Sequence, residues 1–383
     1  MDARVTTRPT AADAAPILIV CGTRPEIIKL APLYHELRRQ PWARVTWLHT
    51  GQHAQMAEPI LRSFDIHPDI RLTRQGDSLL DFSLGCRAQL EGVLSAGEWA
   101  TVVVQGDTES AFLGALAGFY NSVPVAHVEA GLRTYNLRRP FPEEGLRQMI
   151  GRIARLHFAP TERSRQALLA EGVPAQRVWV TGNTVIDAQQ WVCAHRGVRR
   201  RASGRGHLLV TMHRRENWGQ DIERVCRAIA VIAREQPDLR VLFPVHLNPV
   251  VHGPVHELLA GLPNVKLTAP LDYLDMQQAL RDAWIVLTDS GGLQEEAPTF
   301  GVPLLVFREE TERPEALEAG CAAIVGTSTE TILEHVRRLW RDPVEFQRMQ
   351  QAGNPFGDGT ASRQIAAHLA AGLGMFPSHA SVM

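Results

Sequence analysis

ILIVCGTRPEIIKLAPLYHELRR, residues 17–39, decides the fold class. An apolar run, ILIVC (17–21), is followed by Gly22, which permits a tight turn. Pro25 suits a first helical turn, and a helical pattern then runs over 26–39. This is a strand, a turn and a helix in succession. The same unit recurs along the chain. Further short apolar runs are TVVVQ (101–105), PVAHV (124–128), RVWVT (177–181), HLLVT (207–211), RVLFPV (240–245), AWIVLT (283–288), VPLLVF (302–307) and AAIVG (322–326). Strands apolar on both faces imply a parallel sheet. Helical stretches between them, such as 221–234, make the pattern doubly wound α/β.

The length of 383 residues allows two such domains, each able to bury a full core. Hydrophobic residues make up 45% and charged residues 21%, which excludes a disordered or collagenous chain. Lys plus Arg number 40 and Asp plus Glu 41, for a formal charge of −1, so nothing global attracts nucleic acid or an anionic membrane. No apolar run approaches the roughly 18 residues of a membrane span. Residues 1–15 lack the apolar core of a secretory signal and read as a mobile tail. The five cysteines are scattered without CxxC spacing, as single buried thiols in a reducing cytoplasm would be. The Arg- and Gly-rich stretch 192–206 is the clearest seam. The expected division is residues 16–185 for the N-terminal domain and 186–360 for the C-terminal one, with a helix near 361–375 packing back on the first.

Two such domains would face a cleft with the C-terminal ends of their strands, so the residues just after each strand matter most. In the first half these are Gly22-Thr23-Arg24, Gly106-Asp107-Thr108, Glu129-Ala130-Gly131 and, further on, Phe141-Pro142-Glu143-Glu144. Arg24 at a helix N-terminus suits phosphate. Asp107, taken alone, reads better as an N-cap, and Glu143 reads also as an acidic first-turn residue. Three carboxylates (Asp107, Glu129, Glu143) at strand ends nevertheless suit general acid/base work. In the second half, Met212-His213-Arg214-Arg215 and His246-Leu247-Asn248 follow strands. So do Asp289-Ser290-Gly291-Gly292 and Arg308–Arg313. A Ser-Gly-Gly turn opening a helix offers backbone N–H groups to a diphosphate, and Glu296 lies one turn on, within reach of a ribose. Carboxylates in one half and anion binders in the other suit a nucleoside diphosphate sugar.

The residues that carry these features also carry a resemblance. GTRPEIIKLAPL, TGQHAQM, GDT, HVEAGLRT, FPEE, HFAPTE, VTGNTVID, TMHRREN, FPVHLNP, TDSGGLQEEAP, TERPEALEAG and NPFGDGTASRQI, in this order between about residues 17 and 372, resemble the bacterial non-hydrolysing UDP-N-acetylglucosamine 2-epimerases. The resemblance implies a GT-B fold, a cytoplasmic homodimer, and interconversion of UDP-GlcNAc and UDP-ManNAc without nicotinamide or metal, feeding surface polysaccharide. The chain has no GxGxxG fingerprint for a dinucleotide. The implied route is elimination of UDP to a 2-acetamidoglucal and re-addition. It implies Asp107, Glu129, Glu143, His213 and Arg147 in catalysis. Arg24, Lys29, His213, Met276, Ser290, Gly291, Gly292, Glu296 and Arg313 would bind UDP. A second, activating UDP-GlcNAc would meet Gln52, Gln55, Arg74, Glu143, Arg214 and His246.

The chain departs from that pattern in places. Residues 69–79 run about two residues short. Leu146 replaces an Asn, Met276 stands where an aromatic is usual, and Glu309 and Glu310 add charge to the phosphate loop. Runner-up readings are an epimerase of a 2,3-diacetamido uronic acid sugar nucleotide, a hydrolysing 2-epimerase, a retaining GT-B glycosyltransferase and a non-catalytic sensor. The glycosyltransferase reading expects two Glu eight residues apart, but Pro303 and Leu304 stand eight after Glu295 and Glu296. The intact carboxylates oppose a sensor.

Overall fold

The strand-turn-helix units close into two parallel sheets. The computed structural model describes residues 14–200, 205–214 and 217–375. The tail thus lies outside the described residues except for Ala14 and Ala15, and Ala15 opens the first strand. The chain divides into two units. One holds the described residues up to Ala188 and from Gly357 onward, the other Gln189–Phe356.

In the first unit the strands are β1 (Ala15–Cys21), β2 (Ala43–His49), β3 (Ile70–Arg71), β4 (Thr101–Gln105), β5 (Val125–Val128), β6 (Leu156–Ala159) and β7 (Val178–Val180). They alternate with α1 (Arg24–Arg38), α2 (Ala54–Ser63), α3 (Leu79–Ala96), α4 (Glu109–Tyr120), α5 (Glu143–Ile153) and α6 (Glu162–Ala170). Next comes α7 (Thr184–His195), inside which the two units divide. The sheet order is β3-β2-β1-β4-β5-β6-β7, all parallel. Three of these strands (β2, β3, β6) are absent from the list of apolar runs.

The second unit contains β8 (His207–Thr211), α8 (Gln220–Glu235), β9 (Val241–Pro244), α9 (Pro249–Leu259), β10 (Val265–Thr268), α10 (Tyr273–Asp282) and β11 (Ala283–Thr288). It continues with α11 (Gly291–Glu296), β12 (Leu304–Val306), α12 (Pro314–Glu318), β13 (Ala322–Ile324), α13 (Thr329–Arg341) and α14 (Pro343–Gln350). Its order is β10-β9-β8-β11-β12-β13, again parallel. Helix α8 shows why the units hold. Ile222, Val225, Cys226, Ile229, Ile232 and Ala233 form one buried stripe at helical spacing, against Leu208 and Val210 of β8 and Phe243 of β9. The last helix, α15 (Ala361–Gly372), belongs to the first unit. Ser362 N donates to Asp187 Oδ1 at 2.7 Å, and His368 stacks on Trp179. Among the described residues no helix is long and apolar enough to cross a membrane.

Both sheets reverse their winding once, between β1 and β4 and between β8 and β11. In doubly wound sheets that reversal opens a crevice at the strand C-termini, where ligands bind. Gly22 stands at the first reversal. A Cβ there would lie 2.0 Å from Thr50 Oγ1 and 2.2 Å from Ser110 Oγ, which are hydrogen-bonded to each other. Gly22→Ala therefore overpacks a fixed pair. We expect a loss of about 2 kcal/mol, read as a fall of several degrees in melting temperature. An unchanged melting temperature would mean that Thr50 and Ser110 give way freely.

Candidate active site

In the first unit the functional side chains gather on the ends of β4 and β5. The N-cap of α4 is Thr108, whose hydroxyl accepts from Ala111 N at 3.0 Å. The capping role open to Asp107 in the sequence is therefore filled by its neighbour. Asp107 instead accepts from Arg147 of α5, at 3.0 Å from Nε and by a shorter bond from Nη2. Arg147 also lies 3.4 Å from Glu144 Oε2. Glu144 is fully buried and accepts from the backbone N–H groups of Thr134 and Tyr135, both at 3.0 Å. Burial pushes its carboxyl up, but these bonds, that from Gln148 and the Arg147 charge together hold it below the ordinary value. Glu144 thus braces Arg147 and the 134–135 loop. Glu143, beside it in the first turn of α5, is half-buried and has no ion pair among the described residues. Leu146 is buried, so the Asn position has become apolar packing.

Glu129 is buried and sits in the left-handed region, with φ of 61°. Such a conformation is unfavourable for a non-glycine residue and persists where surroundings over-determine it, often at functional sites. The surroundings here are specific. Lys29 Nζ donates to Glu129 Oε1 at 2.5 Å, Asn183 Nδ2 to the same oxygen at 3.1 Å, and Gln105 Nε2 to Oε2. Lys29, grouped in the sequence with the nucleotide binders, is thus tied to this carboxylate. Gly106, with φ of 71°, lies next to Glu129: a Cβ on it would stand 3.8 Å from Glu129 Oε2. The loop before Asp107 therefore runs against Glu129. Arg24, the first residue of α1, is exposed.

Glu26 crosses the β1/β4 reversal. It is fully buried and accepts from Gly22 N at 3.0 Å, Thr23 N at 2.7 Å and Thr108 Oγ1 at 2.7 Å. Burial raises its carboxyl to about 7, against the lowering effect of those bonds. Between its ordinary value of 4.5 and about 7 the folded state keeps a proton that the unfolded chain loses, so stability falls as pH rises through that window. Glu26→Gln cannot titrate. Relative to wild type it should gain roughly 3 kcal/mol across the window, whatever its constant offset. Urea midpoints at the two ends measure this, and a pH-independent difference would show that Glu26 stays charged.

Gln52 Oε1 accepts from Ser110 N and Oγ at 3.1 and 2.6 Å. Gln55 is exposed on α2. Arg74 is held by the carbonyls of Gln52 (2.6 Å), Gly76 (3.3 Å) and Asp77 (3.0 Å), closing the short 69–79 loop onto the β2 end.

In the second unit the β8/β11 reversal is bridged by Asp289 and His213. Asp289 follows β11 and is fully buried. It accepts from His213 N at 3.0 Å, Arg214 N at 2.9 Å and Asn217 Nδ2 at 3.0 Å, and pairs with His213 Nδ1 at 2.9 Å. Burial pushes its carboxyl up, but the His213 bond and charge and the other donors bring it below the ordinary value. An ionised carboxylate on Nδ1 fixes the imidazole tautomer and leaves Nε2 outward. The His213 side chain is 49% exposed. Ser290 caps α11, accepting weakly from Leu293 N at 3.4 Å. Gly291 and Gly292 follow. A Cβ on either would find nothing nearer than 3.7 Å, so packing does not demand glycine there. The first-turn N–H groups are therefore open to close approach. The atom nearest to where a Gly291 Cβ would stand is Arg214 Nη2, at 3.8 Å.

Arg313 donates from Nε to the buried Glu295 at 2.5 Å, and its N–H to Thr311 Oγ1 at 3.1 Å. Glu296 Oε2 accepts from Gln277 at 2.5 Å. Met276 is half-buried on α10. His246 lies 6.1 Å, ring to ring, from Trp218. Arg215 and Glu216 of the TMHRREN segment lie outside the described residues. Asp289, Glu144, Asn183, Gln105 and Gln277 carry no assigned role in the sequence reading, although Asp289 and Glu144 stand in the loops quoted there. Nothing in the chain shows that Asp289 lies under His213 or that Glu144 lies against Arg147.

Two Rossmann-like parallel-sheet units in one chain, each with polar residues at its winding reversal, place the protein in the GT-B fold class. The comparisons are more specific. The family model described as UDP-N-acetylglucosamine 2-epimerase matches residues 35–370. The UDP-N-acetylglucosamine 2-epimerase of Yersinia pestis is 45% identical over 363 residues, covering 91% of this chain and 96% of its own. That of Escherichia coli is 43% identical over 363 residues, with the same coverage of 91% and 96%. A crystal structure of UDP-GlcNAc 2-epimerase from Neisseria meningitidis bound to UDP-GlcNAc matches with a TM-score of 0.84 and 38% identity, over 93% of this chain and 100% of that one. The chain belongs to the UDP-N-acetylglucosamine 2-epimerase family.

Proposed function

We propose that the protein interconverts UDP-N-acetylglucosamine and UDP-N-acetylmannosamine by eliminating UDP and adding it back. Beyond family membership, the observation that carries this reading is the Asp289–His213 pair beside the Ser290-Gly291-Gly292 turn. It suits a departing diphosphate.

The chemistry explains the division of labour. The C2 proton of an N-acetylhexosamine has no carbonyl beside it and is not acidic. Breaking the C1–O bond sends the electron pair to UDP and makes C1 oxocarbenium-like. The C2–H bond then breaks, its electrons form the C1=C2 double bond, and a carboxylate takes the proton. UDP and a 2-acetamidoglucal remain. Re-addition reverses the bonds with the proton delivered to the other face. Two faces require more than one proton-transfer position, and Asp107, Glu129 and Glu143 supply them. His213 through Nε2, Arg24, Arg313 and the first-turn N–H groups stabilise the charge gathering on UDP. Met276 packs on the uracil and Glu296 takes the ribose. Arg147 holds Asp107 in place.

A homodimer and a second UDP-GlcNAc as activator belong to the same reading. Exposed Leu80 and Leu84 on α3 and Phe119 and Tyr120 on the neighbouring α4 support a second copy. Gln52, Gln55, Arg74, Glu143, Arg214 and His246 are the residues for the activator. Light scattering should give twice the chain mass, and the rate should rise sigmoidally with UDP-GlcNAc. A monomer or a hyperbola would remove the corresponding part.

The main test incubates the protein with UDP-GlcNAc and separates the products. UDP-ManNAc at a constant total of sugar nucleotide is expected. Free ManNAc with UDP would mean hydrolysis, and unchanged UDP-GlcNAc would overturn the substrate.

A further inference from the structure

Glu296 is held from behind by a side chain to which the proposed reaction gives no role. Gln277 on α10 is fully buried, and so is Gln189 on α7. Gln189 Nε2 donates to Gln277 Oε1 at 2.7 Å, and Gln277 Nε2 donates to Glu296 Oε2 at 2.5 Å. Both ends of the Gln277 amide are committed, which fixes its orientation: carbonyl toward Gln189, NH₂ toward the carboxylate. Buried amides are unfavourable unless hydrogen-bonded, and an apolar side chain of similar size would fill the same interior without that penalty. The pair therefore gains its meaning from what it holds.

What it holds is the geometry of one carboxylate. With Oε2 engaged by Gln277, Glu296 Oε1 lies toward the Ser-Gly-Gly turn, 3.7 Å from where a Cβ on Gly292 would stand. A glutamate fixed in this way loses little side-chain freedom when it meets a ligand, which strengthens and sharpens recognition. Met276 precedes Gln277 on the same helix. We propose that Gln277, backed by Gln189, is a positioning residue that sets the Glu296 carboxylate to read the ribose hydroxyls of a uridine nucleotide. The inference rests on the role given to Glu296 above and deepens it.

Calorimetry with UDP and 2′,3′-dideoxy-UDP tests this on wild type, Gln277→Leu and the double variant Gln189→Leu/Gln277→Leu. The double variant leaves neither amide orphaned, so it reports even if Gln277→Leu folds poorly. Wild type should prefer UDP. In the variants UDP binding should weaken about tenfold while dideoxy-UDP binding stays unchanged, so the preference collapses by that factor. KM for UDP-GlcNAc should rise more than kcat falls. A folded variant that keeps the full wild-type preference for UDP overturns the positioning role. Failure of the underlying reading looks different. Wild type binding both nucleotides equally would remove the ribose role of Glu296 and this inference with it. Wild type binding neither would remove the nucleotide site itself.

Discussion

Glu129→Gln is expected to lower kcat by about a thousandfold while UDP binds with near wild-type affinity. The amide keeps the shape of the side chain and removes its capacity to take a proton or to face a cationic sugar, a contribution of roughly 10²–10⁴ in such reactions. UDP affinity should persist because Glu129 lies in the first unit, whereas the diphosphate contacts assigned above lie mostly in the second. Structural damage must be separated from lost chemistry, since Lys29 has only 14% side-chain exposure and would lose its counter-charge. Removing one partner of such a pair costs about 3–5 kcal/mol, less where solvent reaches it. The control is Lys29→Met/Glu129→Gln, which takes out both charges. It should recover most of the melting temperature and none of the activity. Activity within tenfold of wild type in either variant would remove Glu129 from the chemistry.

Asp289→Asn should reduce kcat by about a hundredfold or more, comparable with His213→Gln. Asp289 meets only donors: two backbone N–H groups, Asn217 Nδ2 and His213 Nδ1. An asparagine offers one oxygen to them and turns an NH₂ toward the rest, so the imidazole loses the partner that fixes its tautomer. If the two residues act as one unit, Asp289→Asn/His213→Gln should be no slower than the worse single variant. Multiplying effects would mean that they act independently. Wild-type kcat in a folded Asp289→Asn protein would show that the pair is only structural.

Much of this arrangement was legible in the chain. The nine apolar runs are strands, most of them buried along their length. Edge strand β7 has an exposed Val180 and is legible because its sequence still reads as a continuous apolar run. β2 and β10 escaped because part of each is solvent-facing, so their sequences ARVTWLH and VKLT never form a continuous apolar run. β6 includes His157, and β3 is only two residues long. The strand-end rule also located Asp107, Glu129, His213 and Ser290. It could not say what those residues touch. Asp289 and His213 are 76 residues apart, Asp107 and Arg147 40, and Gln277 and Gln189 88. Only the sheet order brings β8 beside β11, and with it a carboxylate under a histidine. Taken alone in the sequence, Asp107 reads better as a cap than as a site residue. Thr108 takes the cap, and Asp107 pairs with Arg147 instead. Glu143 and Glu144 read alike as first-turn acids, yet only Glu144 points inward to brace Arg147.

The central claim is that C2 loses and regains its proton while UDP departs. Proton NMR of the protein with UDP-GlcNAc in D₂O tests it most directly. A growing UDP-ManNAc anomeric signal is expected, with deuterium replacing hydrogen at C2. UDP-ManNAc that keeps the original C2 hydrogen would contradict the elimination route, and UDP-GlcNAc that stays unchanged and undeuterated would contradict the reaction itself.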